Sequence, residues 1–141
     1  MSKLHVTVNI DGGARGNPGP AGAGVVIRTQ DRQIIHEAGL YLGEATNNVA
    51  EYSALLAGLE RAAKLGATDV DIISDSELLV RQMNGQYRVK NEGLKPLYEK
   101  AMSLSAKFHR CTFRHVRREF NRDADKLVNQ AIDVKRDVDG D

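Results

Sequence analysis

Four acidic residues lie at the ends of predicted strands or on the apolar faces of predicted helices, where an ordinary solvated surface charge is not expected. Asp11 ends an alternating apolar stretch, and Asp75 follows the β-branched run "DVDIIS". Glu51 and Asp125 each fall on the apolar stripe of a predicted helix. A carboxylate on a buried surface costs free energy unless a partner compensates its charge. These four acids are therefore the first candidates for chemistry.

Each candidate also has a purely structural interpretation. Asp11 precedes glycine, which is typical of a turn, and Glu51 lies near a helix N-terminus, where the helix dipole favours an acid. Asp75 can cap the helix that begins near Glu77. Asp123 lies around the helix from Asp125 and is expected to be solvated, so it is the weaker candidate of the two.

The chemistry that four carboxylates favour is the binding of a hard cation. Mg²⁺ typically takes a few carboxylates together with waters and phosphate oxygens. The sequence lacks the His and Cys spacings of zinc sites, the G-x-S-x-G nucleophile elbow and the glycine loops that bind nucleotides. Carboxylates with a divalent metal ion are what remains.

A glycine-rich segment begins at the first of these acids. The stretch "DGGARGNPGPAGAG" holds six glycines and two prolines. It predicts either a tight turn alone or a place where a phosphodiester backbone and a metal ion approach the main chain closely.

The elements that must position the acids follow from periodicity. Alternation predicts three antiparallel strands over 4–11, 23–30 and 32–43, and a long helix over 46–66. The remaining predicted elements are, in order, a strand over 69–76, a short helix over 77–83, a helix over 96–107, a strand over 111–117 and a helix over 122–135. This order predicts an α/β fold, a mixed sheet with helices on its faces. We expect one domain over 1–135 and a frayed polar tail over 136–141.

The overall composition limits which binding partners and which cellular location we expect. The formal net charge is only +1, so a nucleic-acid partner would have to be bound by a local patch. Cys111 is the single cysteine, which favours a reducing, cytoplasmic location. Nowhere do about eighteen apolar residues run together, so we expect neither a membrane span nor a secretory signal. A monomer is the default expectation.

Four motifs in order identify a family. The segments "DGGARGNPGPAGAG", "TNNVAEYSALLAGL", "ISDSELLVRQM" and "NRDADKLVNQA" together resemble the type 1 ribonuclease H family, whose members cut the RNA strand of RNA/DNA hybrids. The likeness runs from about Val6 to Ala131. It implies a ribonuclease H-like fold with a five-stranded sheet, three antiparallel strands followed by two parallel ones.

The resemblance also implies a mechanism. Asp11, Glu51, Asp75 and Asp125 would be the catalytic, metal-binding acids, with Asp125 matching the family's acid-x-Leu pattern in "ADKL". Two Mg²⁺ ions roughly 4 Å apart, with Mn²⁺ as a possible substitute, would clamp the scissile phosphate. The products would carry 5′-phosphate and 3′-hydroxyl ends.

Substrate-binding residues are likewise implied by the family. The main chain at Gly12 and Gly13 would contact the RNA strand, where the 2′-hydroxyl distinguishes RNA from DNA. Other matching positions would hold the backbones of the hybrid without reading its sequence, namely Asn17, Thr46, Asn47 and Asn48. Thr46 and Asn47 could equally be helix caps, and we favour both roles.

The chain departs from the family in two places. The segment "QMNGQYRVKNEGLKPLYEK" is too short for the basic protrusion with which many members grip the hybrid, so affinity would rest on other cations, namely Arg88, Lys90, Arg114, Arg117 and Arg118. The link "RREFN" lacks the histidine that many members carry before the last helix. We expect Arg118 to bind substrate and to assist at the departing phosphate in its place.

Other functions stay open at this point. A nuclease of the same fold could act on DNA junctions, which the "NPGP" and "TNN" motifs argue against, or on double-stranded RNA, which nothing excludes. A non-catalytic hybrid-binding protein would gain nothing from clustered acids beside phosphate. Half of a sugar kinase or of an actin-like ATPase would need a second related domain. A purely structural domain would leave the two buried-face acids unexplained.

Overall fold

The computed structural model describes residues 3–139. Within that range one sheet contains six strands, and their bounds are β1 His5–Ala14, β2 Gly19–Thr29, β3 Ile34–Ala45, β4 Asp69–Ser74, β5 Arg110–His115 and β6 Val138–Asp139. The α-helices are α1 Asn47–Lys64, α2 Glu77–Met83, α3 Lys95–Ser105 and α4 Arg122–Val134, and a 3-10 helix covers Arg118–Phe120. No helix within the described residues is long and apolar enough to cross a membrane.

The strand order places two acids side by side. Across the sheet the order is β5-β4-β1-β2-β3-β6, with β1, β2 and β3 antiparallel to one another. β4 runs parallel to β1, and β5 runs parallel to β4. Ile10 of β1 pairs with Ser74, the last residue of β4, and the residue that follows each of them in sequence is an acid. The predicted mixed α/β sheet is confirmed.

The two faces of β1 meet different surroundings. Val6, Val8 and Ile10 lie in the main hydrophobic core, which the apolar side of α1 completes. The intervening residues face the other side of the sheet, where α4 packs on β2 and β3. There a small second core joins Val26 to Ala124 and Leu127.

Glycines in the strands allow the helices to pack closely against the sheet. A Cβ at Gly12 would lie 2.3 Å from the carbonyl carbon of Ala50 in α1, and one at Gly24 would lie 2.2 Å from the carbonyl oxygen of Ala124 in α4. The glycine-rich segment is therefore mostly strand, and the reversal occupies only residues 15–18, with a cis Asn17–Pro18 peptide. The expectation that β1 ends at Asp11 is wrong, because the strand continues to Ala14.

The chain beyond α4 adds a strand that the sequence analysis does not predict. Val138 and Asp139 pair with Gly39 and Ala38 of β3. The sheet thus has six strands rather than five, and Val138 packs against the second core. The frayed tail over 136–141 stays a prediction. Gly140 and Asp141 lie outside the described residues. The single domain over 1–135 stays a prediction.

Gly24→Ala should destabilise the protein by about 1–3 kcal/mol, the usual cost of overpacking a tight contact. The added methyl would meet the carbonyl oxygen of Ala124, so α4 would have to move away from β2. Urea-induced unfolding followed by circular dichroism measures the loss.

Gly13→Ala is the matched control for this measurement. A Cβ at Gly13 has its nearest neighbour 3.9 Å away at Val128 Cγ1, which is an ordinary contact. Its free energy of unfolding should stay close to that of the parent, and equal losses in the two variants would contradict the packing argument.

Candidate active site

Four different elements bring the predicted acids into one cleft. Asp11 lies in β1, Asp75 follows β4, Glu51 lies one turn into α1, and Asp125 lies in the first turn of α4. All four line a cavity of about 480 Å³. The parallel pairing of β1 with β4 supplies two acids, and the two helices packed on glycine supply the others.

Asp11 is the most buried of the four and lies at the centre of the charge cluster. Only 9% of the residue is exposed. Burial, followed by the charge of Asp75 and a hydrogen bond with Asp125, raises the pKa of Asp11 to about 9. In the metal-free protein this carboxyl group therefore holds a proton at neutral pH and shares it with its neighbours.

Glu51 and Asp75 are held in the same charge-crowded environment. Burial raises the pKa of Glu51 to about 7, and the charge of Asp75 adds to the effect, while a hydrogen bond from the Ser76 hydroxyl opposes it. Burial also raises the pKa of Asp75, against a hydrogen bond from Asp11 and the charge of Arg118. Crowded carboxylates thus make the ionised, metal-free cleft unfavourable.

The structural interpretations of these acids do not hold. Ser76, rather than Asp75, caps α2, because its Oγ accepts a hydrogen bond from the Leu79 amide at 3.2 Å. Glu51 lies beyond the first turn of α1, where the helix dipole acts most strongly. Asp11 lies within a strand rather than a turn. None of the three acids is explained by local backbone chemistry.

Asp125 and its neighbour Asp123 point in different directions, as predicted. Asp123 is 59% exposed and forms an ion pair with Arg28 outside the cleft. Asp125 lies inside the cleft, with its Oδ1 3.6 Å from a guanidinium nitrogen of Arg118. The Arg118 side chain is 80% exposed, so it reaches the cleft from its solvent side.

The donor set suits a hard divalent cation, although its present arrangement is that of a proton-sharing cluster. Within residues 3–139, no three His, Cys, Asp or Glu side chains have their ligand atoms placed to hold a metal ion as they stand. Burial and the charges of neighbouring carboxylates instead raise the pKa of Asp11 and of Asp75, so a proton is favoured here when no cation is bound. A cation would take the place of the shared proton, and the carboxylates would turn toward it.

The predicted substrate-binding residues divide into two groups. Gly12, Gly13, Asn47 and Arg118 line the cleft. The others, Asn17, Thr46 and Asn48, do not line it and lie in the turn before β2 or at the start of α1. The substrate-binding roles of both groups stay predictions.

Hydrogen bonds tie this region to β1. The Thr46 hydroxyl caps α1 by accepting from the Val49 amide at 3.2 Å. Asn47 Oδ1 accepts from the Ala14 amide at 2.8 Å, and Asn17 Oδ1 accepts from the Asn47 amide at 3.1 Å. These bonds fix the glycine-rich hairpin relative to the N-terminus of α1.

Sequence reasoning missed two polar residues that line the cleft. Arg15 bonds the Asn129 side chain at 3.3 Å and pairs with Asp133 at 2.7 Å, so it bridges the hairpin and α4. Asn129 lies one turn after Asp125 on the same helix face, and that i, i+4 spacing is the signal that could have identified it. Arg15 carried no comparable signal.

Asp11→Asn should raise the melting temperature of the metal-free protein by about 4 °C or more at pH 8. The folded pKa of Asp11 is about 9, well above the value of roughly 3.9 expected in the unfolded chain. The stability linked to this proton is full below about pH 4 and is lost as pH rises toward 9. The gain on substitution should therefore shrink at pH 4, as thermal unfolding in chelator will show.

Asp31→Asn, an exposed acid in the β2–β3 turn, is the control and should show no such pH-dependent gain. Saturating Mg²⁺ should raise the melting temperature of the parent more than that of Asp11→Asn, because the cation replaces the proton. An Asp11→Asn protein with the same pH profile as the parent would rule out this account of the cleft.

Comparison with known proteins gives a consistent relationship. Residues 9–131 match the family model described as reverse transcriptase-like. Over 93% of its length the chain is 47% identical to the bifunctional protein Rv2228c of Mycobacterium tuberculosis, of which it spans only 36%. The chain thus spans about a third of the length of this curated relative.

Solved structures extend the comparison to the fold. The N-terminal RNase H domain of Rv2228c superimposes with a TM-score of 0.91 at 46% identity, over 94% of this chain and 96% of that one. RNase H1 of Halobacterium salinarum gives 0.90 at 40%, covering 92% and 98%. LC11-RNase H1, solved in complex with an RNA/DNA hybrid, gives 0.88 at 45%, covering 92% and 98%. The chain belongs to the type 1 ribonuclease H family.

Proposed function

We propose that this protein is a divalent-metal-dependent endonuclease that hydrolyses the RNA strand of RNA/DNA hybrids and leaves 5′-phosphate and 3′-hydroxyl ends. The observation that carries the proposal is the convergence of four carboxylates, one buried and three half-buried, in one cleft, next to main chain that a nucleic-acid backbone could approach. Family membership and the hybrid complex of LC11-RNase H1 support the choice of substrate.

The acids have the role of ligands in this proposal. Asp11, Glu51, Asp75 and Asp125 would hold two Mg²⁺ ions, or Mn²⁺ in their place. Bound ions would supply a water activated for in-line attack and would stabilise the departing 3′ oxygen. The protein's own contribution is to hold four carboxyl groups close together, so that the binding of cations offsets the repulsion that arises when they ionise.

The polar residues beside the acids suit a backbone that is bound without regard to sequence. The side-chain oxygens of Asn47 and Asn17 already accept backbone amides, so each NH₂ group is left without a partner among the described residues. An amide fixed in this way can donate to a phosphate oxygen. The exposed Asn48 and the half-exposed Gly13 extend this surface, on which main-chain groups could meet the RNA 2′-hydroxyl.

Cleavage of a labelled RNA/DNA hybrid in Mg²⁺ or Mn²⁺ tests the proposal directly. We expect the RNA strand alone to be cut, with loss of cutting in chelator and at least a hundredfold loss in Asp75→Asn, which removes one ligand charge. Gel analysis against RNA ladders of known ends gives the product chemistry.

Three other substrates provide the controls for the assay: single-stranded RNA, RNA duplex and DNA duplex. Cutting of RNA duplex would identify a second substrate, and cutting of DNA duplex would contradict the proposed specificity. A folded protein that binds the hybrid yet leaves it whole with either ion would indicate a binding protein rather than a nuclease.

Arg118→Ala should lower the cleavage rate of a short blunt hybrid by roughly tenfold or more, the cost of one charge-assisted hydrogen bond. Its guanidinium lies beside Asp125 at the solvent side of the cleft, where it can reach a phosphate oxygen. Single-turnover kinetics measure the chemical step.

Arg136→Ala is the control for this loss. Arg136 is an exposed arginine just beyond α4, and it does not line the cleft. Its rate should stay near that of the parent, whereas a parental rate in Arg118→Ala would remove the assistance that we assign to Arg118.

A further inference from the structure

A second cavity of about 680 Å³ lies next to the start of α4 and takes no part in the proposed chemistry. Its floor is the open face of the sheet, where Asn9, Ile73 and Arg114 are register partners on three neighbouring strands. The 3-10 helix connects it to the first cavity, because Arg118 lines the first cavity while Glu119 and Phe120 line the second.

The charge of this cavity is positive once its ion pairs are counted. Its two acids already have arginine partners, since Asp123 pairs with Arg28 and Glu119 pairs with Arg117. The remaining cations of the lining, Arg32, Arg114 and Arg122, make no ion pair within residues 3–139 and are exposed. In a chain of net charge +1, three uncompensated guanidinium groups around one cavity favour a polyanion locally.

An aromatic ring stands in the same lining without a packing role. Phe120 is 65% exposed, more than any other large apolar residue that the structure describes. It belongs to neither hydrophobic core, and the Arg117 guanidinium lies 5.6 Å from its ring centroid. An exposed ring bordered by arginines is the arrangement on which unpaired bases stack in proteins that bind single strands.

The segment that carries the ring is rigidly attached to the sheet. The buried Asn121 side chain donates to the Ile10 carbonyl at 2.8 Å and accepts from Asn9 Nδ2 at 3.0 Å. Asn9 in turn accepts from Arg28 at 3.3 Å. The backbone next to Phe120 is thus fixed to the sheet before any ligand binds, which lowers the entropic cost of presenting the ring.

We propose that this cavity binds an unpaired stretch of RNA that continues from the hybrid held in the first cavity. A base stacks on Phe120, and backbone phosphates contact Arg114, Arg122 and Arg32. The proposal rests on the proposed function, because the active-site cleft supplies the duplex from which the single strand extends. It adds a preference for hybrids with a single-stranded RNA end over blunt hybrids.

The test compares a blunt hybrid with the same hybrid carrying a short single-stranded RNA extension at its 5′ or its 3′ end. Fluorescence anisotropy in an Asp75→Asn background measures the dissociation constant in Mg²⁺ without cleavage. One of the two extensions should tighten binding by at least about fivefold, the effect of stacking one base on an aromatic ring. Equal affinities for blunt and extended hybrids would overturn the proposal.

Substitutions at the ring separate stacking from mere bulk. Phe120→Ala and Phe120→Leu should lose the gain from the extension, whereas Phe120→Trp should keep it. Tyr87→Ala is the matched control, because Tyr87 is also an exposed aromatic residue, 49% accessible, beside an arginine, but outside this cavity. A gain that persists in Phe120→Ala would contradict the assignment.

Substitution of the cations tests the phosphate contacts. Arg114→Gln should reduce the gain and lower the salt dependence of binding by about one unit of slope, as expected for one lost phosphate contact. Arg136→Gln, an exposed arginine outside both cavities, should change neither quantity. The same salt dependence in Arg114→Gln and in the parent would remove Arg114 from the site.

Two further readouts keep the outcomes distinct. Adenosine monophosphate that stabilises the parent but not Phe120→Ala, without any gain from an extension, would indicate a free-nucleotide site and overturn the proposal of a bound strand. Cleavage of the blunt hybrid should be unchanged in Phe120→Ala. A parent that cuts no hybrid at all would contradict the proposed function rather than this second site.

Discussion

The parallel pairing of β1 with β4 is the constraint on which the cleft depends. It places Asp11 of β1 beside Asp75, which directly follows β4, and the charge of Asp75 adds to burial in raising the pKa of Asp11. The helices then add Glu51 and Asp125, and they can come this close because Gly12 and Gly24 leave no side chain between helix and strand. Close packing of helix on strand thus brings the carboxylates together. Because they are crowded and partly buried, their full ionisation is unfavourable unless a proton or a cation is bound.

The same packing makes the cleft depend on distant parts of the chain. Arg15 joins the hairpin to α4, Asn47 joins α1 to β1, and Asn121 fixes the start of α4 to the sheet. Each bond links elements that are far apart in sequence, so the positions of Asp11, Glu51 and Asp125 depend on contacts between elements. A cluster under electrostatic strain requires this support, since loose carboxylates would simply turn away from one another into solvent.

Much of this arrangement could be predicted from the sequence, because the core-facing side of a helix seldom carries an unpaired acid, and Glu51 and Asp125 are exceptions. The mixed sheet, the bounds of α2 and the different surroundings of Asp123 and Asp125 follow from periodicity alone.

Other features could not be predicted from the sequence. Glycine has low strand propensity, so the continuation of β1 through Gly12 and Gly13 depends on helices that pack there from distant sequence. A strand of two residues, β6, is too short to show a period. The second cavity draws its lining from separate segments, and no local pattern could bring them together.

The pairing of β6 with β3 affects how much of the edge of the sheet is open to other polypeptides. β3 lies near the outer margin of the sheet and begins with two exposed isoleucines, Ile34 and Ile35. Unpaired amide and carbonyl groups beside apolar side chains form a template on which another polypeptide can add a strand. Val138 and Asp139 occupy part of that margin, and Asp137 accepts the Tyr41 amide at 2.8 Å just beyond them. The pairing of this short segment therefore covers part of an edge of β3 that would otherwise be open to another strand.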